Sequence, residues 1–150
     1  MELAQSMRTV LADSFIMYFK AHSFHWNVEG VLFSQYHDFF GEIYKEVFSS
    51  IDETAEEIRK LDYPAPASLD DMYLDKSPSV QINYDFGSSK LVQMLNEMDV
   101  SNSQVISSLN RAFAIANDAN EQGLADYIAS RLSVHKKYQW MIRSSMKSSA

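Results

Sequence analysis

Positions 3, 7, 10, 14, 17, 21, 24 and 28 are Leu, Met, Val, Ser, Met, Ala, Phe and Val, so seven of eight residues at alternating four- and three-residue spacing are apolar. That period matches the turn of an α-helix, not the two-residue alternation of a strand. A chain with such a stripe folds by laying it against other helices. The pattern recurs at Tyr36, Phe40, Ile43, Val47, Ile51, Ala55, Ile58 and Leu61. It returns at Leu91, Leu95, Met98, Val105, Leu109, Phe113 and Ala116, and in weaker form at Leu124, Ile128, Leu132, His135 and Ile142.

Punctuation between the stripes sets the architecture. Glu29-Gly30 closes the first helix, since glycine suits the left-handed position past a helix end. Ser34 is the expected N-cap of the second helix, and Tyr63-Pro64-Ala65-Pro66 stops it. Residues 64–87 form a long connection, with a short helix expected over Ser68-Leu69-Asp70-Asp71-Met72-Tyr73-Leu74. Ser88 or Ser89 is expected to cap the third long helix, and Gly123 to separate it from the fourth. Two helical hairpins joined by a long crossover read as an all-α, ferritin-like four-helix bundle, with residues 1–150 as a single domain. The Ser-rich end, residues 144–150, reads as a frayed tail.

The bulk properties agree. A 150-residue chain that is 46% hydrophobic and 13% aromatic can bury a real core. No apolar run is long enough for a membrane span, and the first residues do not read as a secretory signal. With no cysteine there is neither a disulfide framework nor a thiolate site. These features make a cytoplasmic location the expectation. The net charge of −7 is uneven: residues 29–75 hold twelve acids and three bases, whereas the only charges after Asp126 are Arg131, Lys136, Lys137, Arg143 and Lys147. An acidic body favours cations over nucleic acid, and the basic end reads first as a complement to a helix dipole.

A second apolar flank lies beside the main stripes: Leu11, Phe15, Tyr18, His22 and His25 on the first helix, and His37, Tyr44, Phe48 and Asp52 on the second. One buried stripe suffices for a helix in a monomeric bundle, so a second implies an oligomer interface. Metal-ligand residue types lie along it. Asp52 and Glu56 stand one turn apart on one face. His37 and Asp52, fifteen residues apart on one helix, are separated by roughly 22 Å, whereas metal–ligand bonds are only about 2 Å long. One chain cannot gather both around one ion, but a two-fold copy can bring Asp52 of one chain to His37 of the other. Taken alone, the histidines also fit polar edge residues, and Asp52, Glu53, Glu56 and Glu57 a solvated acidic face. His135, on the apolar stripe of the last helix, reads as a satisfied core histidine. No Glu-x-x-His pair supports a di-iron centre inside the bundle, and no phosphate loop, nucleophile elbow or His-Glu-x-x-His motif is present.

The runs His25-Trp26-Asn27-Val28-x-Gly30-x-x-Phe33, His37-x-x-Phe40-x-x-x-Tyr44 and Asp52-x-x-Ala55-Glu56 resemble the Dps family, the ferritin-like DNA-binding proteins from starved cells. Trp140 also fits, and the resemblance covers nearly the whole chain. It implies a dodecameric shell with ferroxidase centres at two-fold interfaces. His25 and His37 of one chain would be catalytic and metal-binding residues together with Asp52 and Glu56 of the other. Iron would be the metal, with Fe2+ oxidised preferentially by hydrogen peroxide and stored as a mineral, which protects against oxidative damage. Trp26 would stand near the centre, as an interceptor of oxidant or as an interface packing residue, and Glu121 and Asp126 would line iron-entry pores.

One position departs from the pattern. Four residues after His37 the family usually carries a carboxylate, and here stands Gly41. Asp38 and Glu42 lie off that face, Glu42 by about 100°. The departure implies a weaker site, with one iron held well and a second poorly, and predicts that Gly41→Asp tightens iron binding. It also keeps open an alternative: a ferritin-like shell with a weakened or inactive ferroxidase site, serving as a binding or structural protein. Glycine in a helix interior costs about 1 kcal/mol relative to alanine, so something needs the space. DNA binding is expected to be weak or absent, because twelve copies of a chain carrying −7 repel phosphates and Arg8 is the only early base.

Overall fold

A computed structural model of the chain describes residues 1–83 and 90–147. It holds five helices in the order α1 (Glu2–Asn27), α2 (Phe33–Lys60), α3 (Leu69–Asp75), α4 (Leu91–Asp118) and α5 (Gln122–Ser145), and no strand among the described residues. The four long helices form the expected bundle. All eight positions of the first stripe, Leu3 to Val28, are buried. Phe24, Phe40, Met17, Ile43, Met98 and Ile128 are among the fully enclosed side chains at the centre. α1 packs on α2 and α4, and α4 packs on α5.

The ends of the helices follow local chemistry, not always as expected. Gly30 takes φ +115°, and Phe33 N–H donates to its carbonyl. This turn starts α2 at Phe33, so Ser34 lies inside the helix and Leu32 occupies the cap position without a side-chain bond. α2 stops at Lys60, where Asp62 takes φ +66° just before Tyr63-Pro64. Ser68 does cap α3, accepting from Asp71 N–H. The break between α4 and α5 falls on the residues around Asn120, at φ +58°, and Gly123 sits in the first turn of α5. Ser88 and Ser89 lie outside the described residues, as do residues 148–150 of the tail. Among the described residues no helix is long and apolar enough to cross a membrane.

Buried polar groups tie the elements together. Asp13 on α1 accepts from Ser77 N–H at 2.8 Å and from its hydroxyl at 2.6 Å, which pins the crossover to the bundle. Lys20 is buried and reaches Glu97 on α4 at 2.8 Å. Between α2, α4 and α5 runs a longer network. Arg131 makes a two-point ion pair with Glu46, and Tyr138 donates to the same carboxylate at 3.0 Å. The Arg131 guanidinium also meets His135 Nε2 at 3.1 Å. His135 Nδ1 bonds Asn102 Oδ1 at 2.8 Å, and Asn102 donates back to the His135 carbonyl at 2.9 Å. His135 is therefore the satisfied core histidine that its stripe position suggests.

Burial, and then the neighbouring Arg131 charge, push the His135 imidazole down to about 3. Below the ordinary value of 6.5, the unfolded chain takes up a proton that the folded chain refuses. Stability linked to this group is therefore whole above pH 6.5 and lost as pH falls toward 3, by roughly 1 kcal/mol per pH unit. Denaturant midpoints measured from pH 7 to pH 4.5 should fall less steeply in His135→Gln than in the wild type, whatever their absolute values. Equal slopes would show that His135 does not carry the acid sensitivity.

Candidate metal centre

His25 lies in the last turn of α1 and His37 in the first turns of α2, and the Gly30 turn folds one back onto the other. Their imidazoles stack with centroids 3.8 Å apart and planes 17° from parallel. His25 Nδ1 lies 2.6 Å from the His37 carbonyl oxygen, and His37 Nδ1 lies 2.6 Å from the His25 carbonyl oxygen. A carbonyl only accepts, so both Nδ1 atoms carry the proton and donate. That choice fixes the tautomer and leaves Nε2 of each ring as a lone pair, the arrangement that a metal-ligating histidine needs. Both residues are half-buried.

His22 is placed differently. Its spacing to His25 suggests a pair, yet the two rings are 6.2 Å apart and tilted by 51°. His22 stacks on Tyr44 instead, at 3.8 Å and 6°. Trp26 lies 4.1 Å away, and the Tyr18 hydroxyl is hydrogen-bonded to His22 Nδ1 at 3.0 Å. Partial burial, and then the neighbouring His25, hold His22 below the usual imidazole value. Tyr18 touches Phe48 at 4.8 Å, Phe19 touches Trp26 at 6.3 Å, and Phe33 stacks on His37 at 4.9 Å. An aromatic surface thus covers the outer side of α1 and α2, with Phe19, Trp26, Phe33 and Phe48 exposed.

The expected second flank is this surface, with one correction. Leu11 belongs to the core at 1% exposure, because its position faces the bundle when α1 packs on both α2 and α4. Phe19, which the stripe pattern missed, takes its place outside.

Asp52 and Glu56 occupy the far part of α2, one turn apart and exposed. Glu56 is raised above the usual carboxylate range, first by its hydrogen bond with Asp52 and then by repulsion from that charge. Two carboxylates this close share a proton or a cation. Because α2 is one continuous helix, the rise of about 1.5 Å per residue keeps Asp52 roughly 22 Å from His37. Among the described residues no three His, Cys, Asp or Glu side chains gather to hold a metal within one chain. The structure therefore brings His25 and His37 together, and Asp52 and Glu56 together, and keeps the two pairs apart.

Four other residues were singled out in the sequence. Trp26 is exposed beside His22, Trp140 is exposed on α5, and Glu121 and Asp126 lie exposed at and just after the start of α5. The Glu46–Arg131 pair and the stacking role of Tyr44 left no readable signal in the spacing. Of the five C-terminal bases, Arg131 is buried in its pair with Glu46, and Arg143 bonds Asp99 at 3.1 Å.

The chain is similar to several known proteins. The ferritin-like domain family matches residues 5–148. An uncharacterised protein of Haemophilus influenzae is 29% identical over 143 residues, which span 95% of this chain and 87% of that one. DNA protection during starvation protein 2 of Bacillus anthracis is 24% identical over 143 residues, 95% of each chain. The solved structure of Dps from Thermosynechococcus elongatus superposes with a TM-score of 0.90 at 25% identity, covering 99% of this chain and 92% of that one. The Dps protein of Vibrio cholerae gives 0.90 at 22% identity, with 97% and 89% covered, a likeness of fold. With the ferritin-like family matched over residues 5–148, Dps-named relatives along most of the chain and a matching fold, the chain belongs to the ferritin-like family and, within it, to the Dps proteins.

Proposed function

We propose that this chain assembles into a homo-oligomeric shell, a dodecamer, that oxidises Fe2+ with hydrogen peroxide and stores the ferric product. The observation that carries the reading is the pair of half-sites on one rigid helix, each incomplete, beside an exposed aromatic surface. A two-fold copy laid antiparallel along α2 joins His25 and His37 to the partner's Asp52 and Glu56, and symmetry makes two such centres. Exposed Phe19, Trp26 and Phe48 would then be buried by the contact. The same surface gives Trp26 a packing role whether or not it also intercepts oxidant.

The donor set suits the substrate. Neutral imidazole nitrogens and carboxylates are ligands for iron and related divalent ions. The Nδ1 bonds hold the histidines in the ligating tautomer. The carboxylate pair supplies negative charge that favours the higher oxidation state of the product. Two Fe2+ ions would give one electron each to one H2O2, whose O–O bond breaks, and with two protons from solvent its oxygens would leave as two waters. Completing this two-electron step releases no hydroxyl radical, which is the protective part of the reading. Exposed Glu121 and Asp126 would draw Fe2+ toward entry pores by charge.

Gly41, which offers no carboxylate, favours a second reading: a shell whose centre binds metal yet oxidises it slowly. Peroxide-driven Fe2+ oxidation separates the two. His25→Ala and Asp52→Ala are each expected to slow oxidation at least about tenfold with assembly intact. A wild-type rate no better than buffer would establish the second reading.

DNA binding is expected to be weak or absent, with Arg131 and Arg143 engaged within the chain. Duplex DNA should not be retarded by the assembled protein at physiological salt. A strong shift that fades as salt rises would show that the remaining lysines form a working phosphate surface.

A further inference from the structure

We infer that Gly41 is a positioning residue that seats His25, and that any side chain at this position, a carboxylate included, loosens the centre. The inference rests on the metal-centre reading above and goes past it, because it concerns a residue that donates nothing.

Gly41 is buried in the interior of α2, where glycine costs about 1 kcal/mol relative to alanine. Its backbone does not require glycine: Gly30 is the only positive-φ glycine among the described residues. The requirement comes from space. A Cβ on residue 41 would lie 3.1 Å from His25 Nδ1 and 3.2 Å from His25 Cε1. The same test at Gly30 and Gly123 meets nothing within 4 Å. Such contacts are shorter than ordinary van der Waals separation, so the ring would have to yield.

It has little slack. The atom nearest the added Cβ is the Nδ1 that donates to the His37 carbonyl at 2.6 Å, and the ring is stacked on His37 at 3.8 Å. A shift of a few tenths of an ångström moves the ring against both of these contacts at once. Those contacts hold the ring in one orientation, so displacing it turns the Nε2 lone pair away from its fixed direction. The absent side chain thus helps build the ligand on another helix. This reverses the expectation that Gly41→Asp would complete the donor set: the aspartate would arrive by displacing a histidine.

The test uses Zn2+, which binds such donors without redox chemistry, and the assembled full-length protein. Zn2+ affinity is measured by calorimetry, and the histidine tautomers by 15N solid-state NMR, for wild type, Gly41→Ala and Gly41→Asp. Alanine favours helix, so Gly41→Ala keeps the comparison free of helix loss. The wild type should show His25 protonated at Nδ1. Gly41→Ala should shift the His25 signals and bind Zn2+ roughly tenfold more weakly, and Gly41→Asp should bind no tighter than Gly41→Ala. The inference is overturned by a Gly41→Ala protein with unchanged His25 signals and unchanged affinity, or by a Gly41→Asp protein that binds tighter than wild type. A wild type that binds no Zn2+ overturns the metal-centre reading instead, and the His25 signals in Gly41→Ala still decide whether glycine seats the ring.

Discussion

α2 runs from Phe33 to Lys60 without a break, so helix rise alone sets the distance between His37 and Asp52. Tyr36, Phe40, Ile43, Val47 and Ile58 hold its inner face in the core, which keeps the rod straight against α1. No rotamer change can close roughly 22 Å. A histidine pair at one end and a carboxylate pair at the other are therefore of use to one metal only if a second chain supplies the missing half. The same helix explains the exposed aromatic surface, since a partner lying along α2 would cover it. Ligand spacing and surface composition lead independently to the same interface.

Among the described residues the bundle interior gathers no competing metal-ligand cluster. Arg131 brings a fixed positive charge between α2 and α5, neutralised by Glu46, and His135 is neutral and satisfied by Asn102. A cation placed there would meet Arg131 and find no free carboxylate. Such networks are costly to leave half-satisfied, which is why each member has its partner. Glu46 turns inward to this network, while His37 and Asp52 serve the outer flank. One helix thus carries both the lock of the core and the two halves of the proposed centre.

Much of this was legible before any coordinates. Every position of the four-and-three spacing from Leu3 to Val28 is buried, although Leu11, Asp13 and Lys20 are buried beside it, and the proline stop and the short helix expected from Ser68 place the crossover correctly. Helix ends were less legible, because turn geometry outweighed residue preference. The Gly30 turn starts α2 before Ser34, and the break expected at Gly123 falls at Asn120, which takes a left-handed conformation. The ligand types could be read from sequence, but their orientation could not. His22 and His25 look like neighbours by spacing, whereas the crossing of α1 and α2 sends one ring to Tyr44 and the other to His37. Gly41 looks like a lost ligand in sequence and like a seat for His25 in space.

The central claim is that the two halves come from different chains, and subunit mixing tests it most directly. Chains carrying His25→Ala and His37→Ala are coassembled with chains carrying Asp52→Ala and Glu56→Ala, and Zn2+ binding is compared with each parent alone. If the halves meet across a two-fold interface, every mixed pair rebuilds one intact centre from two defective chains. Neither parent should bind Zn2+ tightly, and the mixture should regain wild-type affinity at part of the sites. A mixture that binds no better than its parents, with mixed assembly verified, would contradict the account.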